Sequence, residues 1–211
     1  GETMKDYLQK GQLFKTEDIA MMDSRVFNIL ETAKRWIKPK GAVVDLGSGD
    51  GYIAQQLREH FSVIEVDIKK QIDSKEPKSG KKTTEEKKFV CHDLENAAYP
   101  FKNDSFDGVI CSEVLEHLFN PLTIIHESAR ILKPNGIMIL TVPNFHNIDS
   151  ILTHGVDVLF DPTREMGVEH IRQYNVVSIE HMIAGKFEII EVIGNSPHMN
   201  PFFNRAREVL Q

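Results

Sequence analysis

The run Val43-Val44-Asp45-Leu46-Gly47-Ser48-Gly49-Asp50-Gly51 constrains this chain more than any other stretch. An apolar segment runs straight into a turn with glycine at every second position and an acid at each end. Alternate glycines let the backbone take positive φ and let a ligand approach the main chain more closely than side chains would permit. Such a loop is expected to form a nest of N–H groups and to seat a cofactor.

The flanking segments say what fold would present that turn. Val26, Leu30, Ala33 and Ile37 recur at helical spacing, with Asp23-Ser24 available to cap the helix and Pro39-Lys40-Gly41 to end it. Ala42–Leu46 reads as a strand covered on both faces, Ile53, Ala54 and Leu57 as a helical stripe, and Ser62–Asp67 as a second buried strand. Together they form a βαβ unit, whose crossover should be right-handed. Phe89–Cys91, Phe106–Ser112 and Gly136–Val142 continue as strands, with Leu122, Ile125, Ala129 and Leu132 on a helix that Pro134-Asn135-Gly136 closes. Val176, Ile179 and Ile183 suggest a short helix ended by Gly185, and Phe187–Val192 a last strand. Weaker helical patterns fall at residues 4–22, 148–159 and 201–211. The alternation predicts an α/β chain with a doubly wound, mostly parallel, Rossmann-like sheet of six or seven strands and an N-terminal helical cap.

The 211 residues fit a single domain: the cap and core helix over 1–38, a lysine-rich surface loop over 69–88, and a cover on the acceptor side over 145–185. With 41% hydrophobic and 27% charged residues and no apolar run near the length of a membrane helix, the chain is expected to be soluble. No basic segment followed by an apolar one opens it, and its cysteines, Cys91 and Cys111, show no paired spacing, so a reducing cytoplasmic setting is expected. A net charge of −6 argues against a protein that lives on phosphate backbones. The lysine loop has no interleaved aromatics, as a solvated insertion would, so nucleic acid is not the expected partner.

Chemistry separates two ligands that a glycine turn of this kind can hold. A dinucleotide site rests its pyrophosphate on the helix N-terminus and needs a third glycine for close packing, where this chain has Tyr52, and Asp50 would repel the phosphates. A nucleoside joined to a cationic sulfonium amino acid carries no phosphate and tolerates carboxylates; S-adenosylmethionine is such a ligand. Asp67, at the end of the second strand, can accept both ribose hydroxyls, and Asp93-Leu94, after the third, can accept the adenine amino group and cover its ring. Asp45 inside a buried strand is a functional candidate, because burial of an acid is costly without a partner. His92 between Cys91 and Asp93 lacks the spacing of a metal site, and no metal is expected.

The ordered segments VVDLGSGDG (43–51), IEVDI (64–68), HDL (92–94), FDGVICSEVLEHL (106–118) and ILKPNGIMILTVPN (131–144) resemble the class I S-adenosylmethionine-dependent methyltransferases. The resemblance is to the type 11 and type 12 group, which includes quinone-biosynthesis methyltransferases. It implies that Asp45, Gly47 and Gly49 hold the methionine end, Asp67 the ribose, Asp93 and Leu94 the adenine, and that Ser112-Glu113 floor the methyl-transfer site. Ser48, Gly51, Tyr52 and Ile68 complete the cofactor set, and S-adenosylhomocysteine would be the product. The chain departs from the group in having the lysine loop where a helix is usual, and in lacking a recognisable final antiparallel strand.

Methyl transfer from a sulfonium is an in-line displacement that alignment and water exclusion accelerate, with a base optional. Where the nucleophile is a hydroxyl, a histidine would help, and His117, His146 and His170 are the candidates beside Glu113. Each also has a plainer reading: His117 as a polar residue at a helix start, His146 as a solvated loop residue, His170 as part of a loop-pinning Glu169-His170-Ile171-Arg172 stretch. The expected acceptor is a hydroxyl or amine of a small molecule. The rival readings are a protein or RNA methyltransferase docked through the lysine loop, a catalytically silent cofactor-binding regulatory partner, and, more remotely, a nicotinamide oxidoreductase.

Overall fold

The computed structural model describes residues 24–68, 88–143 and 171–194. The chain divides into two compact units, one of residues 1–31 and 191–211 and the other Thr32–Ile190. Within the second unit, five strands form one sheet: β1 (Ala42–Leu46), β2 (Ser62–Asp67), β3 (Lys88–Cys91), β4 (Phe106–Ser112) and β5 (Leu132–Thr141). Their order is β3-β2-β1-β4-β5 and every pairing is parallel. Helices α1 (Ser24–Trp36), α2 (Tyr52–Leu57), α3 (Leu122–Ile131) and α4 (Val176–Ile183) accompany it, with a 3-10 turn at Leu115–His117.

Strand alternation assigns the two faces. Val44, Leu46, Val66, Val109 and Cys111 share a buried cluster with Ile124, Ile125 and Ile131 of α3 and Ile183 of α4. Residues between them point to the opposite face. There a Cβ on Gly108 would stand 2.3 Å from Ile37 Cδ1 and 3.4 Å from Val43 Cγ2, so this glycine lets the chain after α1 lie against the sheet. With both faces covered, β1 and β4 read as continuous apolar runs.

Asp107 ties three parts of the sheet's lower end together. Its carboxylate accepts from Ala42 N at 2.9 Å and pairs with Lys38 at 2.9 Å and Lys133 at 3.0 Å. On the other face Arg130 donates to Glu127, to the Tyr99 and Phe101 carbonyls at 3.1 and 2.8 Å, and to Asn103 Oδ1 at 3.0 Å. Tyr99 N donates to Glu127 as well, so α3 holds the β3–β4 connection through a single ion pair. A capping box opens α4, with Asn175 Oδ1 accepting from Ser178 N at 2.9 Å and Ser178 Oγ accepting from Asn175 N at 3.0 Å.

Several expectations are corrected. The sheet has five strands among the described residues, not six or seven. Phe187–Val192 is not a strand: it alternates half-buried Phe187 and Ile189 with exposed Glu188 and Ile190 but forms no ladder among the described residues. Leu132 is not the last apolar residue of α3 but the first of β5, paired with Phe106; the next pair is Gly108 with Ile137, so Lys133–Gly136 bulge out of the ladder, with Asn135 at φ 62°. Lys88, assigned to the lysine loop, begins β3. The rest of that loop and the helical patterns at 4–22, 148–159 and 201–211 lie outside the described residues.

Candidate functional site

The sheet order places a topological switch point between β1 and β4, where the chain's progress across the sheet reverses and ligands of open α/β sheets bind at the strands' carboxyl ends. The turn after β1 and the segment after β4 meet there: a Cβ on Gly47 would stand 2.4 Å from Val114 Cγ2. Gly47, Gly49 and Gly51 have φ of 76°, 54° and 77°, which side chains rarely adopt.

The curled turn docks on β2. Gly47 N and Ser48 N donate to Val66 O at 2.8 and 3.1 Å, and Gly49 N donates to Asp67 Oδ2 at 2.8 Å. The expected nest of open N–H groups is therefore corrected: these three donors are engaged by the protein itself, because three left-handed residues in alternation fold the turn back onto the neighbouring strand. Asp67 Oδ1 accepts from Ile68 N at 2.7 Å. Asp50 accepts from Tyr52 N at 3.0 Å and remains exposed, as do Tyr52 and Ile68.

Asp45 and Ser48 belong to β1 and the turn after it, 2% and 8% exposed, and neither Asp45 Oδ2 nor Ser48 Oγ has a hydrogen-bond partner among the described residues. Burial, then the charge of Glu65, push the Asp45 carboxyl up to about 7, against the pull of Arg58 and with Asp67 adding to the rise. A Cβ on Gly49 would meet nothing within 4 Å, so that side of the turn opens onto free space. Orphaned acceptors, carboxylates on both sides and an open glycine fit a ligand that brings hydrogen-bond donors and positive charge, and they do not fit a phosphate.

At the end of β3, Asp93 accepts from Glu95 N at 3.0 Å and from the Asn96 amide at 3.2 Å, holding its own turn while staying exposed. Leu94 is buried, its carbonyl accepting from the Tyr99 hydroxyl at 2.8 Å. His92 N donates to Asp67 O at 3.0 Å, which joins this turn to the end of β2.

Across the switch point, Glu113 follows β4 in a left-handed conformation, φ 54°, that is unfavourable for a side chain of its size. Its carboxylate accepts from Thr141 Oγ1 at 2.8 Å, and Ser112 Oγ lies 3.0 Å from Thr141 Oγ1. A threonine hydroxyl has one proton, so Ser112 donates to Thr141 and Thr141 to Glu113. His117 is exposed on the 3-10 turn, Nε2 3.9 Å from the fully buried Glu116. Arg172 secures that turn by donating to the Leu118 and Phe119 carbonyls at 2.9 and 2.5 Å. His146 and His170 lie outside the described residues.

Of the sequence-predicted residues, Asp45, Ser48 and Asp67 come together through the turn after β1, Asp93 and Leu94 follow β3, and Ser112 with Glu113 stand at the end of β4. The sequence reading missed Thr141, Glu65 and Arg58. A hydroxyl at a strand's carboxyl end was the available signal for Thr141; for Glu65 it was a second acid two residues before Asp67. Among the described residues no three His, Cys, Asp or Glu side chains are grouped to hold a metal ion, and no helix is long and apolar enough to cross a membrane.

The fold is Rossmann-like with its switch point at the glycine turn, and residues 44–140 match the family described as Methyltransferase domain, which bears out the resemblance of the motifs. The curated relatives include the ubiquinone biosynthesis O-methyltransferase of Xanthomonas oryzae pv. oryzae, 30% identical over 103 residues that cover 48% of this chain and 43% of the relative. The namesake from Aliivibrio fischeri is 30% identical over 129 residues, 61% of this chain and 53% of the relative. The chain therefore spans about half the length of the curated relatives it matches. Among solved structures, the YcgJ protein of Bacillus subtilis has the same fold at a TM-score of 0.55 and 24% identity, covering 74% of this chain and 64% of that one.

Proposed function

We propose that the chain is an S-adenosylmethionine-dependent methyltransferase acting on a hydroxyl of a small molecule. The observation that carries the cofactor is the buried Asp45 carboxyl at the foot of the turn that holds the open Gly49, with an oxygen that has no hydrogen-bond partner among the described residues. In this reading Asp45 and Ser48 face the amino-acid end, Asp67 the ribose hydroxyls, and Asp93 with Leu94 the adenine. The bound cofactor supplies an electrophilic methyl group on a sulfonium. The protein's part is alignment and exclusion of water. Ser112, Thr141 and Glu113 form a chain of hydroxyls whose protons point toward one carboxylate, which leaves the Ser112 oxygen open to accept from an acceptor hydroxyl and Glu113 able to draw the proton. His117, exposed on the 3-10 turn that follows β4, is a second candidate base. The names of the curated relatives support oxygen over nitrogen as the methylated atom.

Titration calorimetry with S-adenosylhomocysteine tests the cofactor. Binding by the wild type is expected, weakened at least tenfold in Asp67→Ala, about 1.4 kcal/mol. Absence of binding, or unchanged affinity in the variant, would overturn the assignment.

A further inference from the structure

Beneath the glycine turn lies an acid that the functional reading does not use. Glu65 is the register partner of Asp45 across β1 and β2, so both side chains rise from the same face of the sheet. Glu65 is 6% exposed and pairs with Arg58, which follows α2. A Cβ on Gly51 would stand 2.8 Å from Glu65 Oε2, so the turn closes directly over this carboxylate and admits only glycine there. The charged groups that act on Asp45 are Glu65 and Asp67 from β2 and Arg58 from beyond α2, while its register partner on β4 is the apolar Ile110.

The guanidinium of Arg58 is engaged by Glu65. Among the described residues Asp45 is left buried beside a second carboxylate, with an unpartnered oxygen and with the nearby Arg58 paired to Glu65 instead. Two adjacent carboxylates with a single counter-ion hold a proton between them, on the one without the counter-ion. We propose that Glu65, clamped by Arg58, is a positioning residue that keeps Asp45 protonated until the ammonium group of an adenosine-bearing amino acid displaces that proton. The exchange balances: the Asp45 O–H bond breaks, the proton leaves to solvent, and the carboxylate accepts from an ammonium that keeps its charge. This inference rests on the cofactor reading above and adds that binding is coupled to proton release.

The test is calorimetry on the whole protein in buffers of contrasting ionisation enthalpy, which counts protons released on binding. With Asp45 near 7, S-adenosylhomocysteine should release about half a proton at pH 7 and bind about tenfold more tightly at pH 8 than at pH 6. 5′-Methylthioadenosine, which lacks the ammonium, should release none. Glu65→Gln should release clearly less than the wild type and move the pH profile to lower pH, since burial alone then holds the Asp45 carboxyl up and Arg58 is free to draw it down, whereas Glu65→Asp, which keeps the charge, should keep the release. Wild-type binding of S-adenosylhomocysteine without proton release overturns the proposal, and so does equal release with methylthioadenosine, wild-type release in Glu65→Gln, or none in Glu65→Asp. No binding of either ligand overturns instead the cofactor reading beneath it.

Discussion

Neighbouring glycines of the turn make different demands. At Gly47 a Cβ would collide with Val114 as well as strain the backbone, so Gly47→Ala should cost about 2–4 kcal/mol of stability. At Gly49 only the strain applies, so Gly49→Ala should cost about 1–2 kcal/mol, yet its methyl would fill the space reserved for the ligand and lower S-adenosylhomocysteine affinity about tenfold. Urea unfolding and calorimetry on the two variants separate the effects. Asp107 offers a second residue-scale test. Burial alone would raise its carboxyl, but the bonds from Lys38, Lys133 and Ala42 N outweigh it and bring it down to about 2. A carboxyl lowered below its unfolded value of about 4 stabilises the fold above that value and loses its contribution as pH falls through about 2. Asp107→Asn should therefore lower the urea midpoint at pH 6 and make little difference at pH 2.

Among the elements, α3 and the β3–β4 connection should respond as one. Arg130→Ala removes the bonds to Tyr99, Phe101 and Asn103 and strips Glu127 of its cation; with both side chains partly solvated, about 2 kcal/mol is expected. Hydrogen exchange should lose protection around 99–103 while β1 keeps its own. The strands themselves were legible because an all-parallel sheet covered on both faces leaves unbroken apolar runs, and β1, β2 and β4 match their expected bounds. Leu132 was misassigned because it continues the helical stripe of Ile125 and Ala129 as well as it starts a strand, and the bulge that decides the matter exists only against Phe106. In Phe187–Val192 the alternation reports burial of every second side chain, which an extended segment achieves without a strand partner. The glycines and acids of the candidate site were legible as a local motif; Glu65 beside Asp45 and Thr141 beside Glu113 were not, since register across strands brings them together.

For the molecule as a whole, β1 occupies the middle of the sheet but comes first in sequence among the described strands. Its pairing with β2 is close in sequence, whereas the contact that anchors β4 to it, Ala42 with Asp107, spans 65 residues. Closing so long a loop costs entropy before any ladder bond repays it, so the β1–β4 seam should form late in folding. Until then Val43, Val44 and Leu46 stand on a strand with one bare edge, an invitation to another chain. A fragment ending before Phe106 should therefore self-associate in light scattering rather than remain a folded monomer, and the same exposure should make refolding yield fall as protein concentration rises. The seam that houses the candidate site is also the place where an unfinished chain is most open to aggregation.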